Sequence, residues 1–347
     1  MAQWATGTTG RLALQAVIDA PELELVGVRV YDPSKVGRDA GELVGGGRIG
    51  VLATDNNYEL VRSRPDVVLY MASVEERAES CVTDVANLLA SGIDVIATGS
   101  SFIDIHAFDP AQARLIDLAC KDGEATFLGV GLFPGFWGES VAPLLSRLSY
   151  RCDRIVVRES LSYAGYPSSN LIFNVMGYGH PPDSDVPVLS DPARAGSAFT
   201  GTVRIIVKAL HLDVQSIEPF REVAVTDSEL HVAAGVVPAG TVGAMKLGVR
   251  ADCGSFDLVV EHVTWMDADV APKWSRSQGY EIEYGGKPTL RCNLVLGTAG
   301  EDHTEMGCMA TAMHAVHAIP VVRQSPPGIM DLADTPPFVG SPHVFKQ

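Results

Sequence analysis

Several things are missing from this sequence, and each absence narrows what it can be. The six cysteines, Cys81, Cys120, Cys152, Cys253, Cys292 and Cys308, are far apart and form no C-x-x-C pair or tight His/Cys cluster. A zinc ribbon or redox dithiol is therefore not expected; buried reduced thiols and no metal are. No basic surplus exists either, since 26 Lys and Arg against 42 Asp and Glu give a formal charge of -16. That argues against nucleic acid or anionic lipid as a partner and reads most simply as solubility. No basic n-region precedes an apolar stretch, and no uninterrupted apolar run approaches membrane-spanning length, so a cytoplasmic protein with no membrane partner is expected. The patterns G-x-S-x-G, H-E-x-x-H and G-x-x-x-x-G-K-[ST] do not occur, which leaves hydrolase, zinc-protease and P-loop readings without motif support. Internal repeats and low-complexity tracts are absent as well.

What is present begins at the N-terminus. Met1-Ala-Gln-Trp-Ala-Thr-Gly-Thr-Thr-Gly-Arg11 runs straight into the helical pattern Leu12-Ala-Leu-Gln-Ala-Val-Ile18. A nucleotide-phosphate turn does this between a buried strand and a helix. Glycine there lets the backbone approach a pyrophosphate, and the helix start offers free N–H groups and a positive dipole end. Gly7, Thr8, Thr9, Gly10 and Arg11 are the candidate cradle. A full G-x-x-G-x-x-G would need glycine where Trp4 stands, so the motif is incomplete.

The 347 residues suffice for two domains. Up to about residue 135, short apolar runs alternate with helical segments, the βαβ signature: Leu23–Val30, Val51–Thr54, Asp66–Ala72, Ile93–Thr98 and Thr126–Val130 read as buried parallel strands. Between them Val82–Leu89 and Ala111–Ala119 show helical spacing and end near Gly92 and Gly123, which suit helix C-caps. After Phe133-Pro-Gly-Phe-Trp137 a helical stretch from Glu139 to Leu148 leads into longer, more antiparallel strands: Arg154–Glu159, Phe220–Val225, Glu229–Gly235, Phe256–Thr264 and Gly279–Tyr284. Gly285-Gly286 and Lys287-Pro288 then turn the chain into Thr289–Val295 as a hairpin. One helix over roughly Phe199–Leu210 covers that sheet, and another over Met306–Ile319 stops at Pro320 and returns to the first domain. The proline-rich tail reads as an extended arm. The fold class expected is α/β, a Rossmann-type doubly wound parallel sheet followed by an α+β domain.

In such a sheet ligand lies outside the carboxyl ends of the strands. Four loops there carry small or hydroxylated residues: Thr6 to Arg11, Ala72-Ser73, Thr98-Gly99-Ser100-Ser101, and Gly131 to Gly135. Their coincidence favours a flat nicotinamide and its ribose. At the end of the second strand Asp32 stands where an acid would accept hydrogen bonds from an adenosine ribose, which favours NAD. Arg29, Ser34, Lys35 and Arg38 crowd the same loop and would match a 2′-phosphate, which favours NADP. The balance leans slightly to NADP.

Taken together, Ala5-Thr-Gly-x-x-Gly-Arg11, Lys35-Val-Gly-Arg-Asp-Ala-Gly-Glu-Leu43, Gly129-x-Gly-x-x-Pro-Gly-Phe136, Met176-Gly-Tyr-Gly179 and Ala315-Val-His-Ala-Ile-Pro320 with Pro326-Pro-Gly328 resemble the dihydrodipicolinate-reductase-like group that includes 2,4-diaminopentanoate dehydrogenase and the native amine dehydrogenases. The resemblance spans nearly the whole chain. It implies an NAD(P)-binding Rossmann domain over residues 1–135 with 305–347, and a substrate-binding and dimerisation domain over 136–304. It also implies a homodimer, hydride transfer to a small carbonyl or imine or from an amine, and His317 near the nicotinamide. Two departures matter. The His-His-x-x-Lys segment of the reductase of lysine biosynthesis has no counterpart, which removes that substrate. Where the amine dehydrogenases carry an acidic pair after the fifth strand, this chain has Ser100-Ser101. Asp104 is the nearest carboxylate that a shifted loop would bring to the same space.

Hydride transfer needs a polarised acceptor and often a proton. Tyr163 and Tyr166, after the first strand of the second domain, are candidate acids, with Ser101 and Asp104 beside them as catalytic candidates; His180 and His314 also titrate in the useful range. Phe102, Phe133, Phe136, Trp137, Phe173 and Met176 are the expected apolar lining for a small hydrophobic substrate. Beside the amine dehydrogenase reading stand a ketone, enone or preformed-imine reductase that ignores ammonia, and a non-catalytic NAD(P)-binding protein.

Overall fold

The computed structural model describes residues 1–274, 278–298 and 303–345. Among them the strands, in chain order, are β1 (Ala2–Trp4), β2 (Gly27–Arg29), β3 (Ala53–Thr54), β4 (Val67–Tyr70), β5 (Asp94–Thr98), β6 (Thr126–Val130), β7 (Arg151–Ser162), β8 (Ser216–Val225), β9 (Leu230–Val232), β10 (Gly235–Val237), β11 (Val242–Asp252), β12 (Asp257–Trp265), β13 (Gly279–Lys287), β14 (Leu290–Leu294) and β15 (Gly328–Met330). The chain divides into two units, Met1–Phe136 with Gly297–Gln347, and Trp137–Leu296.

In the first unit a seven-stranded sheet has the order β15-β6-β5-β4-β1-β2-β3. Every pairing in it is parallel. β4, β5 and β6 are buried at every position, as strands covered on both faces must be. The helices Thr8–Asp19 and His303–Gln324 pack as one pair, and Val74–Ala90 and Pro110–Gly123 as another. The chain steps outward from β1 to β2 in one direction and from β4 through β5 to β6 in the other. Right-handed crossovers therefore put the two helix pairs on opposite faces, and the topological switch point falls between β1 and β4. This is the doubly wound sheet expected.

Local departures have physical reasons. Gly123 does not cap its helix; Glu124 takes the left-handed conformation, at φ 51°. Glycine is needed at 123 because a Cβ would lie 1.9 Å from the Leu89 carbonyl oxygen of the neighbouring helix. The last helix does not stop at Pro320 but runs from His303 to Gln324. An interior proline costs about 3 kcal/mol. Burying Val322 beyond it returns about 1.5–3 kcal/mol, and Arg323 Nη1 reaches Asp94 Oδ2 at 2.6 Å. The tail is extended, yet its Gly328–Met330 segment joins the sheet beside β6.

The second unit holds a six-stranded mixed sheet, β14-β13-β7-β12-β11-β8, and the small hairpin β9–β10. β7 and β12 pair in parallel, and the other neighbours are antiparallel. The helix Pro192–Ala209 packs on β8, β11 and β12. The Glu229–Gly235 run is two short strands rather than one, with Val232 opposite Gly235. Gly285-Gly286 forms a bulge within β13 instead of the hairpin turn. β11 has no counterpart in the sequence reading. Its alternation is interrupted at Gly248, where a Cβ would meet the Val260 carbonyl oxygen at 2.2 Å and the Phe220 ring at 2.9 Å, so the residue that weakens the strand signal is the one the packing requires.

No described helix is long and apolar enough to cross a membrane.

Candidate active site

The turn after β1 is built by close backbone approach. Trp4 is buried with its ring 5.4 Å from Tyr70. The left-handed residue is Ala5, at φ 71°, so the missing first glycine belongs to position 5 in conformation and not to Trp4. Gln3 Nε2 donates to the Ala5 carbonyl at 3.0 Å and fixes it. Gly10 packs directly against that carbonyl: a Cβ there would lie 2.3 Å from Ala5 O. Gly7 opens the helix Thr8–Asp19 with no side-chain cap, and a Cβ on Gly7 would meet nothing within 4 Å. The first-turn N–H groups of Thr8 and Thr9 thus begin a helix whose end faces open space.

The loop after β2 sorts its charges. Asp32 accepts from Ser34 N at 2.9 Å and from Ser34 Oγ at 2.7 Å, and these bonds hold its carboxyl below the usual range. Lys35 Nζ donates to Thr6 O at 3.0 Å, which places an ammonium on the glycine turn. Arg29 folds back over Tyr31, 3.8 Å from the ring centroid, while Arg77 covers the other face at 3.7 Å. Arg38 is exposed. Arg11 turns to Glu305 at 3.6 Å.

Of the other loops, Ala72 is buried and Ser73 exposed at the start of the helix Val74–Ala90. Thr98 is buried, Gly99 adopts φ 132°, and Ser100 and Ser101 form the first turn of the short helix Ser100–Ile103. Ser101 is buried, and the Phe102 carbonyl rests on Gly129 of β6. Asp104 caps the next helix, accepting from Ala107 N at 3.0 Å, so this carboxylate serves as a helix cap. The ring that touches the loop after β6 is His314, whose Nδ1 lies 2.8 Å from Gly131 O between Phe136 and Phe338. Burial pushes its pKa down. His317 lies against Gly340 of the tail instead, and its buried Nδ1 has no hydrogen-bond partner among the described residues. Four of the six expected lining residues have clear packing partners within their own unit. Phe102 is in the sheet core between Tyr70 and Phe127, Trp137 packs on Tyr280, and Phe173 and Met176 belong to the core beside β11.

In the second unit Tyr163 and Tyr166 stack with ring centroids 5.8 Å apart. Tyr163 Oη is 3.1 Å from His262 Nε2, and His262 Nδ1 is 2.7 Å from Glu159 Oε2. Burial, and then the charge of Glu159, hold the Tyr163 phenol well above its ordinary pKa. Glu159 and His262 are functional candidates that the sequence reading missed. For His262 the signal was available, because it interrupts β12, which is buried at every position after Asp257; Glu159 lies among other charged residues of β7 and carried none. Another buried carboxylate, Glu139, accepts from Thr202 Oγ1 at 2.5 Å. Among the described residues no group of three His, Cys, Asp or Glu side chains is placed to hold a metal.

The turn fits a dinucleotide pyrophosphate. It offers an uncapped helix start, a glycine opening onto free space, and an ammonium on the turn.

Comparison with known proteins agrees. The 2,4-diaminopentanoate dehydrogenase C-terminal domain family matches residues 191–341. An amine dehydrogenase of Streptomyces virginiae is 30% identical over 349 aligned residues, spanning 97% of this chain and 96% of that protein. A 4-hydroxy-tetrahydrodipicolinate reductase of Methanosarcina barkeri is 30% identical over 125 residues, 35% of this chain and 43% of that protein. The solved structure of an amine dehydrogenase from Mycobacterium smegmatis, 19% identical, superposes with a TM-score of 0.78 over 98% of this chain and 97% of that one. It shows the same fold.

Proposed function

The chain belongs to the amine dehydrogenase family and is an NAD(P)-dependent oxidoreductase, and from that premise we propose that it reduces a small, mainly apolar C=N or C=O substrate, with reductive amination of ketones or aldehydes as the leading reaction. The observation that carries this reading is the uncapped helix start at Gly7 with Lys35 Nζ beside Thr6. When bound, the reduced nicotinamide supplies the hydride. Gly7, Thr8, Thr9 and Gly10 would hold the pyrophosphate, with Lys35 adding charge. Ala72, Ser73, Thr98, Gly99 and Ser100 offer the small surfaces on which a ribose and nicotinamide fit. Tyr163, protonated at neutral pH, gives the proton to the substrate nitrogen or oxygen. NADP is the favoured form, because Asp32 is already engaged by Ser34 while Lys35 keeps a cation at the turn. The mixed sheet of the second unit is our proposed homodimer surface.

A second reading has its own support. Ser100-Ser101 stands where the acidic pair is expected, and Asp104 accepts a cap bond from Ala107 N, which favours reduction of a ketone, an enone or a preformed imine without ammonia. The test is oxidation of NADPH and NADH over a panel of aldehydes and ketones, with and without ammonia. Turnover that needs ammonia supports amine dehydrogenase activity, and turnover indifferent to it supports the second reading. Tight cofactor binding with no turnover defeats both and leaves a binding protein.

A further inference from the structure

Resting on that reading, we infer that Glu159, His262 and Tyr163 form a proton relay, in which Tyr163 is the acid that meets the substrate and His262 and Glu159 are positioning residues that act through it. Strand register creates the arrangement. β7 and β12 are parallel neighbours with Glu159 opposite His262, and Tyr163 follows on from the end of β7, its backbone N–H donating to Trp265 O at 2.9 Å. The three side chains then follow one another, carboxylate to ring at 2.7 Å and ring to phenol at 3.1 Å. The carboxylate contact is a close charge contact set off the line of an ideal hydrogen bond. Phe199 stacks on the imidazole at 6.0 Å and holds its plane.

This pair sits where stability alone would not put it. The Glu159 and His262 side chains are 12% and 10% exposed, and their strand neighbours Val157, Leu258 and Val260 are fully buried and apolar. Removing two ionisable groups from water costs several kcal/mol, and apolar residues of similar volume in such places are often neutral or stabilising. The groups that face the imidazole are Glu159 from β7 and Tyr163 just after it, with Tyr166 stacked on Tyr163 and Tyr178 close enough to act on Tyr163 electrostatically; the helix Pro192–Ala209 contributes the uncharged Phe199.

The chemistry balances as follows. The substrate carbon takes the hydride that NAD(P)H supplies, its π bond to nitrogen or oxygen breaks, and that atom takes the proton from Tyr163 Oη. Imidazolium at His262 passes its Nε2 proton to the phenolate as it forms. Neutral imidazole remains, its Nδ1–H toward the Glu159 carboxylate, and recovers a proton from solvent. In the oxidative direction each transfer reverses, so neutral imidazole is the working form. A phenol beside a carboxylate is hard to ionise, and the ring between them offsets that.

The test combines kinetics with a readout that needs no cofactor. In His262→Gln and Tyr163→Phe, kcat falls about 10²-fold or more, within the range of general acid–base catalysis, while KM for NAD(P)H changes less than about 2-fold. His262→Gln also removes a limb of the kcat–pH profile, and Glu159→Asp recovers part of what Glu159→Gln loses. In the cofactor-free protein, the ¹⁵N resonances of the His262 ring shift in both Tyr163→Phe and Glu159→Gln. Unchanged ring resonances in both variants, or His262→Gln and Glu159→Gln retaining rate and pH limb, overturn the relay. If the wild-type chain turns over no carbonyl or imine, the proposed function fails separately, and the ring resonances still decide whether the three groups are coupled. Circular dichroism identifies any variant that fails to fold, and the wild-type and Glu159→Asp spectra then carry the test.

Discussion

Two alanine substitutions three residues apart separate the protein's own packing from the space left for ligand. A methyl at Gly10 lies 2.3 Å from the Ala5 carbonyl oxygen and 3.0 Å from its carbon, both backbone atoms, so the start of the helix must retreat by about 1 Å. Overpacking of this kind costs about 1–3 kcal/mol, and at roughly 2–4 °C per kcal/mol for a unit of this size the melting temperature drops by about 2–12 °C. A methyl at Gly7 meets nothing within 4 Å, and the residue has φ -70°, which alanine adopts without strain. Gly7→Ala therefore leaves Tm within about 2 °C of wild type. If the pyrophosphate uses that space, each charge-assisted N–H bond lost costs about 1.5–3 kcal/mol, or about 10- to 150-fold in Kd. Thermal melting with calorimetric titration of NADPH reads both quantities. Gly10→Ala should lose stability and affinity together, whereas Gly7→Ala should lose affinity alone. A Gly7→Ala protein that binds NADPH as tightly as wild type refutes the placement of the phosphate.

Cofactor preference follows from the same turn. Lys35→Ala removes the ammonium at Thr6 and should lower kcat/KM for NADPH about 10-fold while changing that for NADH less; equal losses would mean that Lys35 serves the pyrophosphate alone and does not favour NADP. Stability should depend on His314. Burial lowers its folded-state pKa, so the unfolded chain binds more protons below the ordinary imidazole value, and stability is full above about pH 6.5 and lost as pH falls from there toward the folded pKa. Melting temperature measured from pH 8 to 5 should fall on the acid side, and His314→Asn should flatten that fall; an unaltered slope places the sensitivity elsewhere.

How much of this was legible in the sequence differs between the two units. Parallel strands such as β4 and β6 declare themselves because both faces are buried and the apolar run is continuous. Ends and interruptions were harder to read. Pro320 stops a helix by local rules but not against the burial of Val322 and the Arg323–Asp94 contact beyond it. β11 was hidden by Gly248, whose reason lies on the neighbouring strands β8 and β12. In the glycine turn the close approach at Gly10 is to the Ala5 carbonyl, and the left-handed conformation falls on Ala5, which composition does not mark. Asp104 is close to Ser101 along the chain, but its cap role appears only with the helix Ile105–Phe108 in place. Glu159 and His262 stand about a hundred residues apart, and only the register of β7 against β12 joins them.

The central claim is hydride transfer from a nicotinamide to a carbon double-bonded to nitrogen or oxygen. It is tested most directly by supplying NADPH and NADH deuterated at nicotinamide C4, each stereoisomer in turn, with a panel of small apolar ketones and aldehydes, with and without ammonia. Mass spectrometry of the product should find one deuterium on the former carbonyl or imine carbon, from one of the two stereoisomers only. Cofactor that binds but leaves every substrate unlabelled contradicts the account.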